Sequence, residues 1–95
     1  MPLPDAVLFR LYITGNAPNS LHAIARLDEL CRCHLQDRHE IEIVDLAREP
    51  HRALADGVYM TPTLVKVRPG PELRFVGSLS DPSPVLACLG LTPGP

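Results

Sequence analysis

LYITGNAPNS, residues 11–20, is the stretch on which the fold turns: an alternating apolar segment meets Gly15-Asn16-Ala17-Pro18 and then gives way to a helical pattern. Upstream the alternation extends through AVLFRLYIT. Val7, Phe9, Leu11 and Ile13 fall on one face and Leu8, Arg10, Tyr12 and Thr14 on the other, the period of a strand. Both faces are partly apolar, which predicts a central strand covered on each side. From Asn19 or Ser20, whose side chains can accept from a free backbone N–H, Leu21, Ile24, Leu27, Leu30 or Cys31, and Leu35 recur at spacings of three and four. That spacing predicts an amphipathic helix of about four turns. Arg26, Asp28, Glu29 and Arg32 form its solvated face.

Farther on, Ile41, Ile43 and Val44 in EIEIVDL predict a second strand, and strand, helix, strand in this order favours a right-handed parallel crossover. AREPHRALADGVYM, residues 47–60, is weakly helical: Pro50 suits a first helical position, Asp56-Gly57 an end, and Leu54 offers little apolar stripe. TPTLVKV and ELRFVG read as a hairpin turned by RPGP, with Leu64, Val65, Val67, Leu73, Phe75 and Val76 as packing residues. After Gly77, Ser80 or Asp81 can cap a short apolar helix that ends near Gly90. The order is βαβ, an ambiguous middle, then ββα. No repeat or linker divides the chain, so one domain is expected over 1–95, with 1–6 and 92–95 as flexible ends.

Composition excludes several functions. The 95 residues are 45% hydrophobic, enough for a globular core, though a chain this short buries only about 60–65% of its unfolded surface. A formal charge of -2 and only two Tyr and two Phe give neither a basic field for phosphate backbones nor a stacking platform for bases. No apolar run approaches the ~18–20 residues of a membrane span, and Met1-Pro-Leu-Pro-Asp lacks a basic, apolar leader. A cytoplasmic protein that binds neither nucleic acid nor membrane is expected.

The chemistry-bearing residues are sparse. Cys31 and Cys33 lie about 200° apart around a helix, so an intact helix cannot bridge them. In Cys31-Arg32-Cys33-His34 only Cys31 and His34 share a face, too few ligands for tetrahedral zinc, so no metal or cofactor is expected. His22, His34, His39 and His51 are scattered without a nucleophile at a recognisable elbow, and there is no glycine-rich phosphate loop. In thioredoxin-like folds a Cys-x-x-Cys at the first helix's N-terminus reacts as thiolate, beside a cis-proline loop. Here that place carries Asn16-Ala17-Pro18-Asn19, and an amide cannot form a mixed disulfide, so disulfide exchange by that route is excluded. Asn16 and Asn19 are expected to cap the helix and bond the turn; no catalytic residue is expected.

LYITGNAPNS is similar to the leucine–tyrosine–x–x–glycine–asparagine–x–proline–asparagine–serine signature of the KaiB family of circadian clock proteins. Asp45, TPTLVKV, the proline-bearing turn and VGSLS resemble the family's later landmarks in the same order, so that the match runs from Leu8 to Leu89. The resemblance implies a non-enzymatic regulator that binds a KaiC-type ATPase and modulates its phosphorylation and ATPase cycle in circadian or stress-related timing. It further implies KaiA-like partners and SasA-like histidine kinases, SasA itself having a KaiB-like sensor domain. The family is metamorphic. The free protein is therefore expected as a homo-oligomer, a dimer or tetramer, in the ground-state order βαββααβ, with a thioredoxin-like βαβαββα monomer as the alternative.

On the same ground Lys66 and Arg74 are expected to bring charge to the partner interface, and Asn16, Pro18 and Pro62 to shape the loops near it. Leu73, His22, Gly57 and Glu42 depart from the family's basic surface. Cys88 stands at a family glycine and Gly90 at a family aspartate in the fold-switch segment. Two other readings remain: an adaptor module for a histidine kinase using the same surface, and a thioredoxin-like oxidoreductase relying on Cys33 or Cys88 alone.

Overall fold

The structure, a computed structural model, describes residues 6–36, 38–77, 79 and 81–90. The expected flexible ends lie outside these apart from Ala6, as does Ser80, one of the two caps proposed for the last helix. Seven elements follow one another: β1 Val7–Ile13, α1 Pro18–His34, β2 His39–Asp45, α2 His51–Asp56, β3 Thr63–Arg68, β4 Leu73–Val76 and α3 Ser83–Cys88. The sheet order is β2-β1-β3-β4, with β1 parallel to β2, and β3 antiparallel to both β1 and β4. This βαβαββα order is thioredoxin-like, the alternative of the two arrangements above rather than the βαββααβ order expected of the free protein.

β1 is central, and each of its faces has its own core. Val7, Phe9, Leu11 and Ile13 pack with Ala23, Leu27, Leu30, Cys31 and Leu35 from α1 and its end, Leu64 of β3, and Val85 and Leu86 of α3. Tyr12 packs on the other face with Val44, Val58 and Val65. The helical stripe is rotated from its expected position: Ala23 is buried, while Leu21 at its start is half exposed. β2 is an edge strand, which leaves Ile43 exposed.

The helix start also differs from expectation. α1 begins at Pro18 with Ala17 as the capping residue and no side-chain cap, so neither asparagine caps it. Proline at the first helical position lacks an N–H that would need a partner and has its φ preset. Ser20, buried, instead accepts from the Thr14 N–H at 3.1 Å, which holds the helix against the end of β1.

α2 explains why the middle resists local reading. None of its residues is buried. It is held from outside: the Tyr12 hydroxyl donates to Asp56 at 2.6 Å, a carboxylate that Arg52 of the same helix also pairs with at 3.2 Å. Arg74 of β4 donates to the carbonyls of Asp56 and Gly57, filling acceptors that a helix end leaves open. Gly57, with φ of 67°, makes the left-handed cap that glycine adopts most readily, a reason for glycine at this position. Glu42 pairs with Arg10 at 2.6 Å and lies 3.9 Å from Arg52, so its charge is answered within the chain.

Hydrogen bonding to Tyr12, then to Arg52, holds the Asp56 carboxyl below its usual value. A carboxyl depressed by folding adds stability that is complete above its unfolded value near ~4 and is lost as pH falls through the lower folded value. Stability is therefore expected to be level above about pH 5 and to fall below about pH 4. In Asp56→Asn the drop in urea midpoint between those two regimes should be smaller than in the parent, which equilibrium unfolding measures directly.

Candidate docking face

Because β1 and β2 run together and β3 against them, the ends of β1 and β2 and the start of β3 reach the same edge of the sheet. Three loops gather there: 14–17, 46–50 and 57–62. Asp45, at the end of β2, accepts at one carboxylate oxygen from the Gly15 N–H at 3.0 Å and the Ala47 N–H at 2.9 Å. These two bonds hold its carboxyl below the usual value. The Thr14 and Thr61 hydroxyls meet at 2.8 Å, and the Thr63 hydroxyl donates to the Met60 carbonyl at 2.6 Å. Thr61–Pro62 and Arg68–Pro69 are cis. Pro62 itself is buried, with its carbonyl accepting from the Gly77 N–H at 2.9 Å.

These bonds fix the backbone and leave side chains pointing outward. Asn16, Ala17, Pro18 and Asn19 are exposed. Tyr59 is 84% exposed, Met60 64%, and Leu54 on the neighbouring α2 81%. A tied backbone under exposed aromatic and thioether side chains suits contact with another protein, since tyrosine adds much contact area at small entropic cost. Tyr59 and Met60 escaped the sequence reading because they sit in a segment without helical or strand periodicity. Their size in such a segment was the available signal.

The other sequence-derived site residues are dispersed. Lys66 is 3% exposed, and its ammonium donates to the carbonyls of Pro69 and Pro71, so in this arrangement it organises the β3–β4 turn instead of presenting charge. Arg74 is exposed on β4, but its guanidinium is engaged with α2 and lies 3.9 Å from Glu72. Cys88 closes α3, and Gly90 follows with φ of 75°; both lie at the far end of the chain from the gathered loops in the order of elements.

The thiols stand apart from the β1–α1 loop. Cys31 is wholly buried, and burial, helped by Asp28, pushes its thiol up to about 12. Burial raises Cys88 against the lowering effect of Lys66, whereas Cys33 is exposed. A thiol reagent should therefore label Cys33 first, Cys88 more slowly, and Cys31 only on unfolding, as mass spectrometry of timed reactions would show. Among the described residues no group of His, Cys, Asp and Glu side chains could hold a metal ion.

The KaiB domain family model matches residues 10–91. Circadian clock protein KaiB3 from Synechocystis sp. is 39% identical over 89 residues, covering 94% of this chain and 87% of that protein. Among solved structures, the N-terminal domain of Synechococcus elongatus SasA superposes with a TM-score of 0.73 at 22% identity, covering 94% of this chain and 83% of that one. Mitochondrial thioredoxin 3 from Saccharomyces cerevisiae follows at 0.69 and 15%, covering 92% and 79%. The two structural likenesses speak to the fold. The family match and the KaiB3 identity, each spanning most of the sequence, carry the assignment: the chain belongs to the KaiB family.

Proposed function

We propose that the protein is a KaiB-like regulator without chemistry of its own, which docks on a KaiC-type ATPase and modulates its phosphorylation and ATPase cycle in circadian or stress-related timing. One observation carries the reading: the loop where a thioredoxin holds its reactive thiols has amides, and its backbone is tied down beside exposed Tyr59 and Met60. That several relatives are named as circadian clock proteins supports it. Asn16 and Pro18 contribute to the contact directly, Pro62 shapes the loop beneath it, and Arg74 holds α2 in place beside it. KaiA-like and SasA-like proteins are further partners in this reading. The edges β2 and β4 are open to pairing with a second copy in a dimer or tetramer. A cytoplasmic location accompanies it; among the described residues no helix is long and apolar enough to cross a membrane.

The test is co-elution of the purified protein with a KaiC-type ATPase from the same cell, with and without ATP. A nucleotide-dependent complex is expected. Failure to associate with any such ATPase, or turnover of a dithiol substrate by the protein alone, would overturn the reading.

A further inference from the structure

β4 ends the sheet order β2-β1-β3-β4, so one side of it meets β3 and the other meets no strand among the described residues. The Gly77 N–H donates to the Pro62 carbonyl at 2.9 Å, continuing the register in which Phe75 opposes Leu64 and Leu73 opposes Lys66. Along an antiparallel ladder, residues alternate between bonding the neighbouring strand and pointing away from it. Leu73 and Phe75 therefore bond to β3, and Arg74 and Val76 turn their main-chain N–H and C=O groups to the open edge. Little guards that edge: Val76 is 62% exposed, and the charged group of Arg74 is drawn aside to the α2 carbonyls.

A groove of about 470 Å³ opens beside β4, with Phe75 and Val76 on one wall and Leu79, Asp81, Pro84 and Val85 on the other. Its volume lies within the ~300–1,000 Å³ usual for ligand sites. Phe75 opposes Leu64 and so lies on the face covered by α1 and α3. Opposed residues on adjacent strands share a face, so a segment laid along β4 places its residue opposite Phe75 in the groove and the next one beside Val76. Main-chain bonds at a sheet edge, with a pocket for alternate side chains, are one established way of holding a peptide. Asp81 adds a charge to the groove. It is exposed, one of its oxygens accepts from the Ser83 N–H at 3.0 Å, and among the described residues no cation pairs with it.

We infer that the groove between β4 and α3 takes an extended peptide segment of a partner protein, paired to the main chain of Arg74 and Val76, with an apolar side chain against Phe75 and Leu79 and a lysine or arginine beside Asp81. The site borders the gathered loops where Gly77 meets Pro62, but it uses neither Tyr59 nor Met60 and does not depend on the proposed ATPase partner. A second copy pairing through β4 would compete for the same edge.

The experiment selects displayed random octapeptides on the immobilised full chain, then titrates one selected synthetic peptide into the isotope-labelled protein and follows amide chemical shifts. Selected sequences should share neighbouring apolar residues and a lysine or arginine, and saturable shifts are expected at Arg74, Val76, Gly77 and Val85. Val76→Pro removes an outward N–H where an edge strand tolerates proline, and should raise the dissociation constant about tenfold. Asp81→Asn keeps an acceptor for the Ser83 N–H and loses the charge; it should raise the constant about three- to fivefold, a difference that high salt removes. This second variant keeps the test decisive if Val76→Pro does not fold. Selection without enrichment, shifts confined to residues 14–19 and 57–62, or a constant unchanged in a folded variant would overturn the inference. So would shifts at Arg74 and Val76 that dilution of the peptide-free protein reproduces, because they would assign the edge to a second copy.

Discussion

Phe9→Ala is expected to lower the unfolding free energy by about 3–5 kcal/mol, the range for a large aromatic removed from a packed core. Phe9 has no exposed surface and stands in the middle strand between Ile41 of β2 and Lys66 of β3. It belongs to the larger of the two cores, where α1 and α3 both close on β1, so neither helix can fill the gap without leaving other contacts. A domain of this size has only about 5–15 kcal/mol in total, so the urea midpoint should drop by roughly a fifth or more. An unchanged midpoint would contradict the packing assigned to β1.

Tyr59→Ala is expected to act on binding and to spare the fold. Tyr59 is almost fully exposed and no side-chain hydrogen bond holds it among the described residues, so its removal should shift stability by no more than about 0.5 kcal/mol. If it anchors the ATPase contact, affinity should fall by about 2–4 kcal/mol, roughly 30- to 1000-fold, as tyrosine anchors do. Titration calorimetry checks this alongside the unfolding midpoint. The Met60→Ala change should be smaller, since thioethers adapt and give up less area.

The sequence made β1 legible because two-residue alternation with apolar residues on both faces admits few strand positions other than a central one. α2 was not legible, and the reason is physical: its fastening comes from Tyr12, 44 residues before Asp56, and from Arg74, 17 residues after Gly57. Such contacts leave no local trace. Lys66 shows the opposite case. Its place on the same face as Leu64 was readable from TPTLVKV, and the expectation of a surface cation set aside the alternation that buried it. The candidate face was half visible, through Asn16, Pro18 and Pro62. Tyr59 and Met60 became visible only when the folded chain brought residues 57–62 beside the β1–α1 loop.

The central claim is that this family member works by docking through those gathered loops. Amide spectra of the labelled protein, recorded as a KaiC-type ATPase is added in the presence of ATP, test it most directly. The account predicts signal loss concentrated at residues 14–19 and 57–62, with the α1 positions around Cys33 unaffected. Binding that spares those loops and perturbs the α1–α3 side would contradict it.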